Sequence, residues 1–495
     1  MVFLICLLSA GLLAFSFPQI QWSFLAWFAL VPFFHLIDGK KSWRAFRRGY
    51  LCGFLFFFVT VGWFVYVTYV GAFVAVAYLA LYFAVYGVIF VYFQRFSLMA
   101  RIFVLSASWV ALEFIRAHLV TGFDWAMLGH SQYKNLWLIQ IADITGGYGV
   151  SFLVILVNLL IFETLRVRAF LFKANILVIV ILSSVLIYGW WVTGQKKDYE
   201  MVRVGVVQPN IPLALDWDDS KKPWIVAHTI QLTRKLKDQN LDLIVWPETS
   251  LPGMIIDAPS LTNEIQATAA DLHTPMLIGS IANKDEAYYN SAFFIDADGH
   301  MMGRYDKIHL VPFGEFLPFR PILGWINKFV PFDDFTPGNT YKIFSIPSAS
   351  SHAEDSVRSQ KKFGVLICFE DTVGHLRRHF VQEGADFLVN MTNDAWFRDT
   401  KAPFLHLQSA VLGCVENHRS LARAANTGVS ALIDPWGRII TTVVDEHGKE
   451  TFIEGSAWGV LPLVHEKTFY TKYGDVFTYM CFLCILVAGV LRRFI

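Results

Sequence analysis

Charge is scarce in this chain. Only 16% of its 495 residues are Asp, Glu, Lys or Arg, and 41 basic against 40 acidic side chains leave a formal net charge of +1. Holding a nucleic-acid backbone takes a surplus of cations to displace phosphate counterions, and that surplus is missing. Nucleic acid is therefore excluded as a partner. Cysteine is scarce as well, with six in all, and Cys6, Cys52, Cys481 and Cys484 lie in apolar runs. Such a distribution excludes a disulfide framework and leaves Cys368 and Cys414 as thiols in more polar surroundings. No basic residue precedes the first apolar run and no small-residue cleavage site follows it, so that run is expected to be a retained helix and not a leader.

Apolar and aromatic residues are plentiful. They make up 55% and 16% of the chain, and mean hydropathy is +0.46. Those values lie well above a soluble average and point to the lipid bilayer as solvent for part of the molecule. A helix needs roughly 20 apolar residues to cross the hydrocarbon core. Eight runs approach that length, at 2–17, 20–37, 51–70, 72–93, 102–115, 148–162, 174–192 and 476–491. Basic residues occur at every second boundary: Lys40, Lys41, Arg44, Arg47 and Arg48, then Arg95 and Arg101, then Arg166, Arg168 and Lys173, then Arg492 and Arg493. Under the positive-inside rule this alternation puts both termini in the cytoplasm and residues 198–470 outside it. Trp125, Tyr133 and Trp137, in the long outward loop 121–147, suit the headgroup region.

Between residues 194 and 470 the apolar runs shorten to strand length. Strands are expected at 202–208, 241–246, 276–281, 292–296, 363–367, 387–390, 429–433 and 439–444, with helices at 222–237, 261–272 and 406–417. Strands interleaved with helices predict a layered α/β domain, and the polar stretch 348–362 reads as a solvated loop. The expected organisation is helices over 1–193, a soluble domain over 194–470, and a last helix with a cytoplasmic tail over 471–495.

Three expected strands end on polar side chains: Glu248 after 241–246, Cys368 after 363–367, and Asn393 with Asp394 after 387–390. In open α/β folds ligands collect at the carboxyl ends of strands. Taken singly, each residue has an ordinary explanation: a buried cysteine as a small core residue, Glu248 as a helix-entry acid, Lys307 as a solvated surface lysine. Together they suit acyl transfer. A thiol nucleophile needs a base, which a poorly hydrated carboxylate such as Glu248 provides. The oxyanion formed on attack needs fixed donors, which the Lys307 ammonium and the Phe369 N–H supply.

The segments VWPETS (245–250), GRYDKIHLVPFGEFLP (303–318) and GVLICFED (364–371) resemble the nitrilase superfamily, whose Glu-Lys-Cys set sits on an αββα sandwich. Such a domain inserted before the last of eight spans resembles the apolipoprotein N-acyltransferase family of the bacterial inner membrane. That resemblance implies catalysis by Glu248, Lys307 and Cys368 and support from Glu315, Glu370 and Phe369. It also implies substrate contact by Trp217 within VVQPNIPLALDW, and a segment at the mouth of the site in VNMTNDAWF. The implied reaction takes an acyl chain from a membrane phospholipid onto Cys368 as a thioester. The chain then passes to the N-terminal amine of a diacylated apolipoprotein. No cofactor or metal is required, the catalytic domain is periplasmic, and the chain is expected to act as a monomer. Two positions depart from the family pattern, Phe369 in place of tyrosine and Arg398 in place of a small residue.

Other features stay outside this pattern. Glu113 and Arg116 lie in or beside the fifth run, where ionisable groups serve function or pair at a helix end. His375 and His379 have helical spacing but no glutamate between them for a metalloprotease site. TGGYGV (145–150) suits a flexible helix entrance better than a phosphate loop. Two rival readings remain: a membrane-tethered amidohydrolase of nitrilase type, and a transporter with a regulatory soluble domain, which would carry charges near the bilayer midplane.

Overall fold

The computed structural model describes residues 1–167, 172–195, 197–216, 218–251, 253, 259–317, 320–323, 334–347 and 360–492. The chain forms two compact units. One comprises residues 1–196, 400–416 and 468–495, the other residues 197–399 and 417–467.

The first unit is helical. Among the described residues, five of its helices are long and apolar enough to cross a membrane: Ser42–Tyr66, Tyr69–Tyr92, Leu98–His118, Gly147–Val167 and Phe172–Gly194. Two shorter apolar helices, Val2–Phe15 and Val476–Leu491, cover two further expected spans. The expected span 20–37 is not one helix, because a 3₁₀ turn at Ser23–Trp27 precedes a short helix at Val31–Ile37. Pro32 accounts for the break: its missing N–H and fixed φ are tolerated in a first helical turn and obstruct a helix arriving from upstream. Other helices outrun their apolar cores. Arg44, Arg47 and Arg48 lie on the helix that begins at Ser42, and Arg101 lies inside Leu98–His118. Arg101 and Arg166 both meet the buried carboxylate Oε2 of Glu163, at 2.5 and 2.8 Å. Close approach between helices is set by residues without side chains. A Cβ at Gly49 would stand 2.4 Å from the carbonyl oxygen of Phe83, so the helices starting at Ser42 and Tyr69 touch backbone to backbone there.

Glu113 and Arg116 are both buried. Glu113 Oε1 accepts from Trp109 Nε1 at 2.9 Å and from the Leu128 N–H at 2.7 Å, while the Arg116 guanidinium lies 5.4 Å from the centre of the Phe57 ring. The pair therefore braces the outward loop and an aromatic wall, and among the described residues no ion pair joins them. Helix Ala402–Asn417, expected within the soluble stretch, contributes residues 402–416 to this unit. Ser409 Oγ donates to Asp124 Oδ2 at 3.1 Å, Gln408 Nε2 to Gln21 Oε1 at 3.2 Å, and Glu416 Oε1 accepts the Gly147 N–H at 2.9 Å.

Among the described residues, the second unit is an αββα sandwich of two six-stranded mixed sheets. Its strands are β1 Glu200–Gln208, β2 Leu243–Val245, β3 Met276–Lys284, β4 Ala287–Ile295, β5 Met301–Asp306, β6 Ile343–Pro347, β7 Gln360–Ile367, β8 Phe387–Thr392, β9 Ser420–Ala425, β10 Ala431–Ile433, β11 Ile439–Thr442 and β12 Gly455–Leu463. The orders are β12-β1-β2-β3-β4-β5 and β11-β10-β9-β8-β7-β6. In each sheet three strands run parallel: β1, β2 and β3 in the first, β7, β8 and β9 in the second. β12 closes the first sheet antiparallel to β1, with Glu200 opposite Leu463 and Gln208 opposite Gly455.

The inner faces meet through aromatic rings, Phe294 of β4 lying 5.3 Å from Phe344 of β6 and 5.5 Å from Phe363 of β7. Helices Lys222–Arg234 and Pro259–Leu272 cover the outer face of the first sheet, packing Val226, Ile230, Ile265 and Ala269 on Ile244, Trp246, Met276 and Ile278. With both faces covered, parallel strands become continuous apolar runs, and all six residues of β8 are buried. β5, β6, β9 and β12 were not anticipated from the sequence; their glycines, prolines and alanines weaken the strand signal. Residues 348–359 of the expected solvated loop lie outside the described residues.

Candidate active site

The candidate residues stand where strands stop. Glu248 lies three positions after β2, Lys307 directly follows β5, and Cys368 directly follows β7 and opens a 3₁₀ turn, Cys368–Thr372. Glu248 can sit this close to β3 because the facing residue is Gly279, where a Cβ would lie 2.5 Å from the carbonyl oxygen of Pro247. Cys368 has φ +53, a left-handed conformation that non-glycine residues seldom adopt and that collects at functional sites.

The lysine is held between two carboxylates. Lys307 Nζ donates to Glu315 Oε1 at 2.8 Å and to Glu248 Oε1 at 3.4 Å. Asn290, from β4, donates through Nδ2 to both acids, at 2.7 Å to Glu248 Oε1 and 2.9 Å to Glu315 Oε1. Glu248 Oε2 accepts the Asn393 N–H at 2.9 Å, and Glu315 Oε2 accepts that of Val311 at 2.8 Å. Glu315 thus carries the closer lysine contact, and Glu248 keeps the weaker one. A carboxylate less fully engaged by a cation is the better proton acceptor.

Electrostatics support this division. Burial raises the Glu248 carboxyl above its usual range; Glu315 adds to the rise and Lys307 opposes it. Burial by itself would lower Lys307, but Glu315 and Glu248 more than compensate and hold it charged. Burial also pushes the Cys368 thiol well above its ordinary value, with Glu248 reinforcing and Lys307 resisting. The resting thiol is therefore protonated, beside a base of raised affinity and a fixed cation.

Glu370 plays a different part. Its two oxygens accept from the backbone of Ile308 (2.7 Å), His309 (2.9 Å) and Ile367 (2.8 Å) and from the Tyr305 hydroxyl (2.9 Å). Those bonds tie the lysine loop to the turn carrying Cys368, although burial still raises the Glu370 carboxyl to about 7. The Phe369 ring stacks near His309 at 6.0 Å. Trp217 lies outside the described residues.

Glu248, Lys307, Cys368, Glu315 and Glu370 are thus brought to one place. Asn290 was missed from the sequence, although an asparagine between the aromatic and apolar residues of YYNSAFF is a polar group on an inward face and could have signalled it. Among the described residues, the group with metal-ligand spacing is Asp296, Asp298 and His300. It caps an exposed turn, with Asp296 Oδ1 accepting the N–H groups of Asp298 and His300 at 3.0 and 2.7 Å.

Residues 9–160 match the family model of the apolipoprotein N-acyltransferase N-terminal domain, and residues 203–454 match that of carbon-nitrogen hydrolases. An apolipoprotein N-acyltransferase of Geobacter metallireducens is 36% identical over 504 residues, covering 97% of this chain and 93% of the relative. One from Chlorobaculum tepidum is 27% identical over 533 residues, covering 99% and 95%. Among solved structures, an amidase variant from Nesterenkonia sp. AN1 with an acetamide moiety on its active-site cysteine is 16% identical. It covers 54% of this chain and 93% of that one, with a TM-score of 0.39.

Proposed function

Because the chain belongs to the apolipoprotein N-acyltransferase family, we propose that it moves an acyl chain from a membrane phospholipid, through a thioester on Cys368, to the N-terminal amine of a diacylglyceryl-cysteine lipoprotein. Glu248 takes the thiol proton as sulfur attacks the acyl carbonyl. The oxyanion is met by the Lys307 ammonium and the Phe369 N–H. Collapse expels the lysophospholipid alkoxide, which recovers the proton from Glu248. In the second half the lipoprotein amine attacks the thioester, Glu248 accepts the amine proton, and that proton returns to the departing thiolate.

The observation that carries this reading is the division of labour around Lys307. Glu315 holds the cation at 2.8 Å, which leaves Glu248 free to cycle a proton through both halves. Both substrates are lipid-anchored, so a catalytic domain joined to spanning helices meets them at high effective concentration. The alternating basic residues support an inner-membrane protein with residues 194–470 in the periplasm, between helices over 1–193 and a last helix over 471–495. Reporters fused after Gly194 and at the C-terminus are expected to give opposite sides of the membrane; the same side for both would remove this topology.

The test of the reaction uses purified full-length protein and acyl-labelled phospholipid. Donor alone is expected to leave a hydroxylamine-labile acyl group on Cys368, because a transferase must keep water from its thioester. A diacylated lipopeptide is expected to discharge it with formation of an amide. Release as free fatty acid, equally fast with and without lipopeptide, would make the protein a hydrolase.

A further inference from the structure

Beneath the turn that carries Cys368 lies a buried polar network that the reaction as described does not use. Arg423, from β9, is fully buried. Its Nη1 donates to Asp371 Oδ2 at 2.9 Å and to Asn390 Oδ1 at 2.5 Å, its Nη2 to Asp394 Oδ2 at 3.2 Å, and its Nε to the carbonyl of Val429 at 3.2 Å. Because a guanidinium only donates, the oxygen of the Asn390 amide must face Arg423. The Asn390 Nδ2 is then turned the other way, where it lies 3.1 Å from the carbonyl oxygens of both Leu366 and Cys368.

The Cys368 carbonyl and the Phe369 N–H belong to one peptide group, which is planar and trans, so the two bonds point in opposite directions. Whatever fixes the first aims the second. Cys368 is also held at φ +53, so the turn does not reach this orientation by backbone preference alone. We propose that Asn390, oriented by Arg423, is a positioning residue that aims the Phe369 N–H at the oxyanion by gripping the Cys368 carbonyl. The inference rests on the acyl-transfer reading above. It adds to that reading the source of the oxyanion donor's direction, and it assigns Arg423 the task of choosing which way the Asn390 amide faces.

Alkylation and acylation separate aim from nucleophilicity. Iodoacetamide reacts with the Cys368 sulfur by displacement at a saturated carbon and forms no oxyanion, whereas acyl transfer from an ester does. Three reactions at Cys368 are compared in the full chain: alkylation over a pH series, acylation by an activated p-nitrophenyl ester, and acylation by phospholipid. Asn390→Leu, a neutral substitution of similar volume, is expected to slow both acylations ~10- to 100-fold, while alkylation stays within about twofold with an unchanged pH profile. Arg423→Lys keeps a cation beside Asp371 and Asp394 but loses the fork that orients Asn390, so a smaller loss with the same signature is expected. If Asn390→Leu fails to fold, Arg423→Lys alone carries the comparison.

Parallel loss of alkylation and acylation would reduce Asn390 to a general structural role and overturn the inference, as would acylation at the parent rate. If the parent is acylated by the activated ester in an Asn390-dependent way but never by phospholipid, the inference stands and the donor assignment falls.

Discussion

Each unit contains an arginine–carboxylate network, anchored on the buried Arg101 and Glu163 in the helical unit and on the buried Arg423 in the sandwich unit, and the two networks do different things. In the helical unit Arg101 and Arg166 converge on Glu163, which links helix Leu98–His118 to helix Gly147–Val167. In the sandwich unit Arg423 reaches out to Asp371, Asn390 and Asp394, side chains that flank the loops around a thiol. The first network holds rigid elements together, and a charge in an apolar bundle costs least when it is fully paired. The second holds irregular backbone in a conformation it would not otherwise keep. A buried ion pair therefore does not by itself mark an active site, and what it restrains is the better guide.

The largest expected contrast is between thiols of the two units. Cys368→Ala is expected to abolish thioester formation, while Cys414→Ala and Cys481→Ala, which alter buried cysteines of the helical unit, leave it intact; acyl label on another residue would break the contrast. Next come Glu248→Gln and Lys307→Met. Each is expected to slow acylation by ~100-fold or more, read as the single-turnover rate with phospholipid. Near-parent acylation by a folded variant would move that role to another side chain.

The helical network should behave in the opposite sense. Glu163→Gln leaves two arginines short of their counter-charge and is expected to lower stability by roughly 3 kcal/mol, read by thermal denaturation in detergent. The acylation rate per folded molecule should remain near the parent value. A large drop in that rate would join the two networks functionally.

The smallest effect concerns pH. Burial lowers His418 of the sandwich unit to about 4 from an ordinary 6.5, with Arg419 adding to the shift. The folded state then prefers the neutral ring. Its contribution is complete above the unfolded pKa and is lost as pH falls from 6.5 toward 4. Moving from pH 6.5 to 5.5 should cost about 1 kcal/mol of sandwich stability. His418→Gln should remove that part of the slope, and an unchanged slope would assign it to other groups.

The site was legible in the sequence to the extent that its residues interrupt apolar runs. Glu248 and Cys368 each terminate a strand-length run, and such interruptions are visible without knowing what lies across the sheet. Asn290 and Arg423 are interior strand residues, and their meaning comes only from partners at 248 and 315, or at 371, 390 and 394. Within SLARAA an arginine among alanines looks solvated, yet β9 is buried throughout. The spans were legible for a similar reason, since length and apolarity suffice to find them. Their ends were not, because the helices starting at Ser42 and Leu98 continue through charged residues that anchor elsewhere, Arg48 on the Leu36 carbonyl at 2.6 Å and Arg101 on Glu163.

The pairing of β1 with β12 bears on how the molecule is made. A ribosome delivers residues 200–208 long before residues 455–463, so one edge of β1 has no partner through most of synthesis. Unpaired strand edges invite association with other chains, and pairings so distant in sequence form slowly. The first sheet therefore closes only when β12 has been delivered, after every other described strand of both sheets. A chain truncated before residue 455 leaves one edge of β1 unpaired and open to association with other chains.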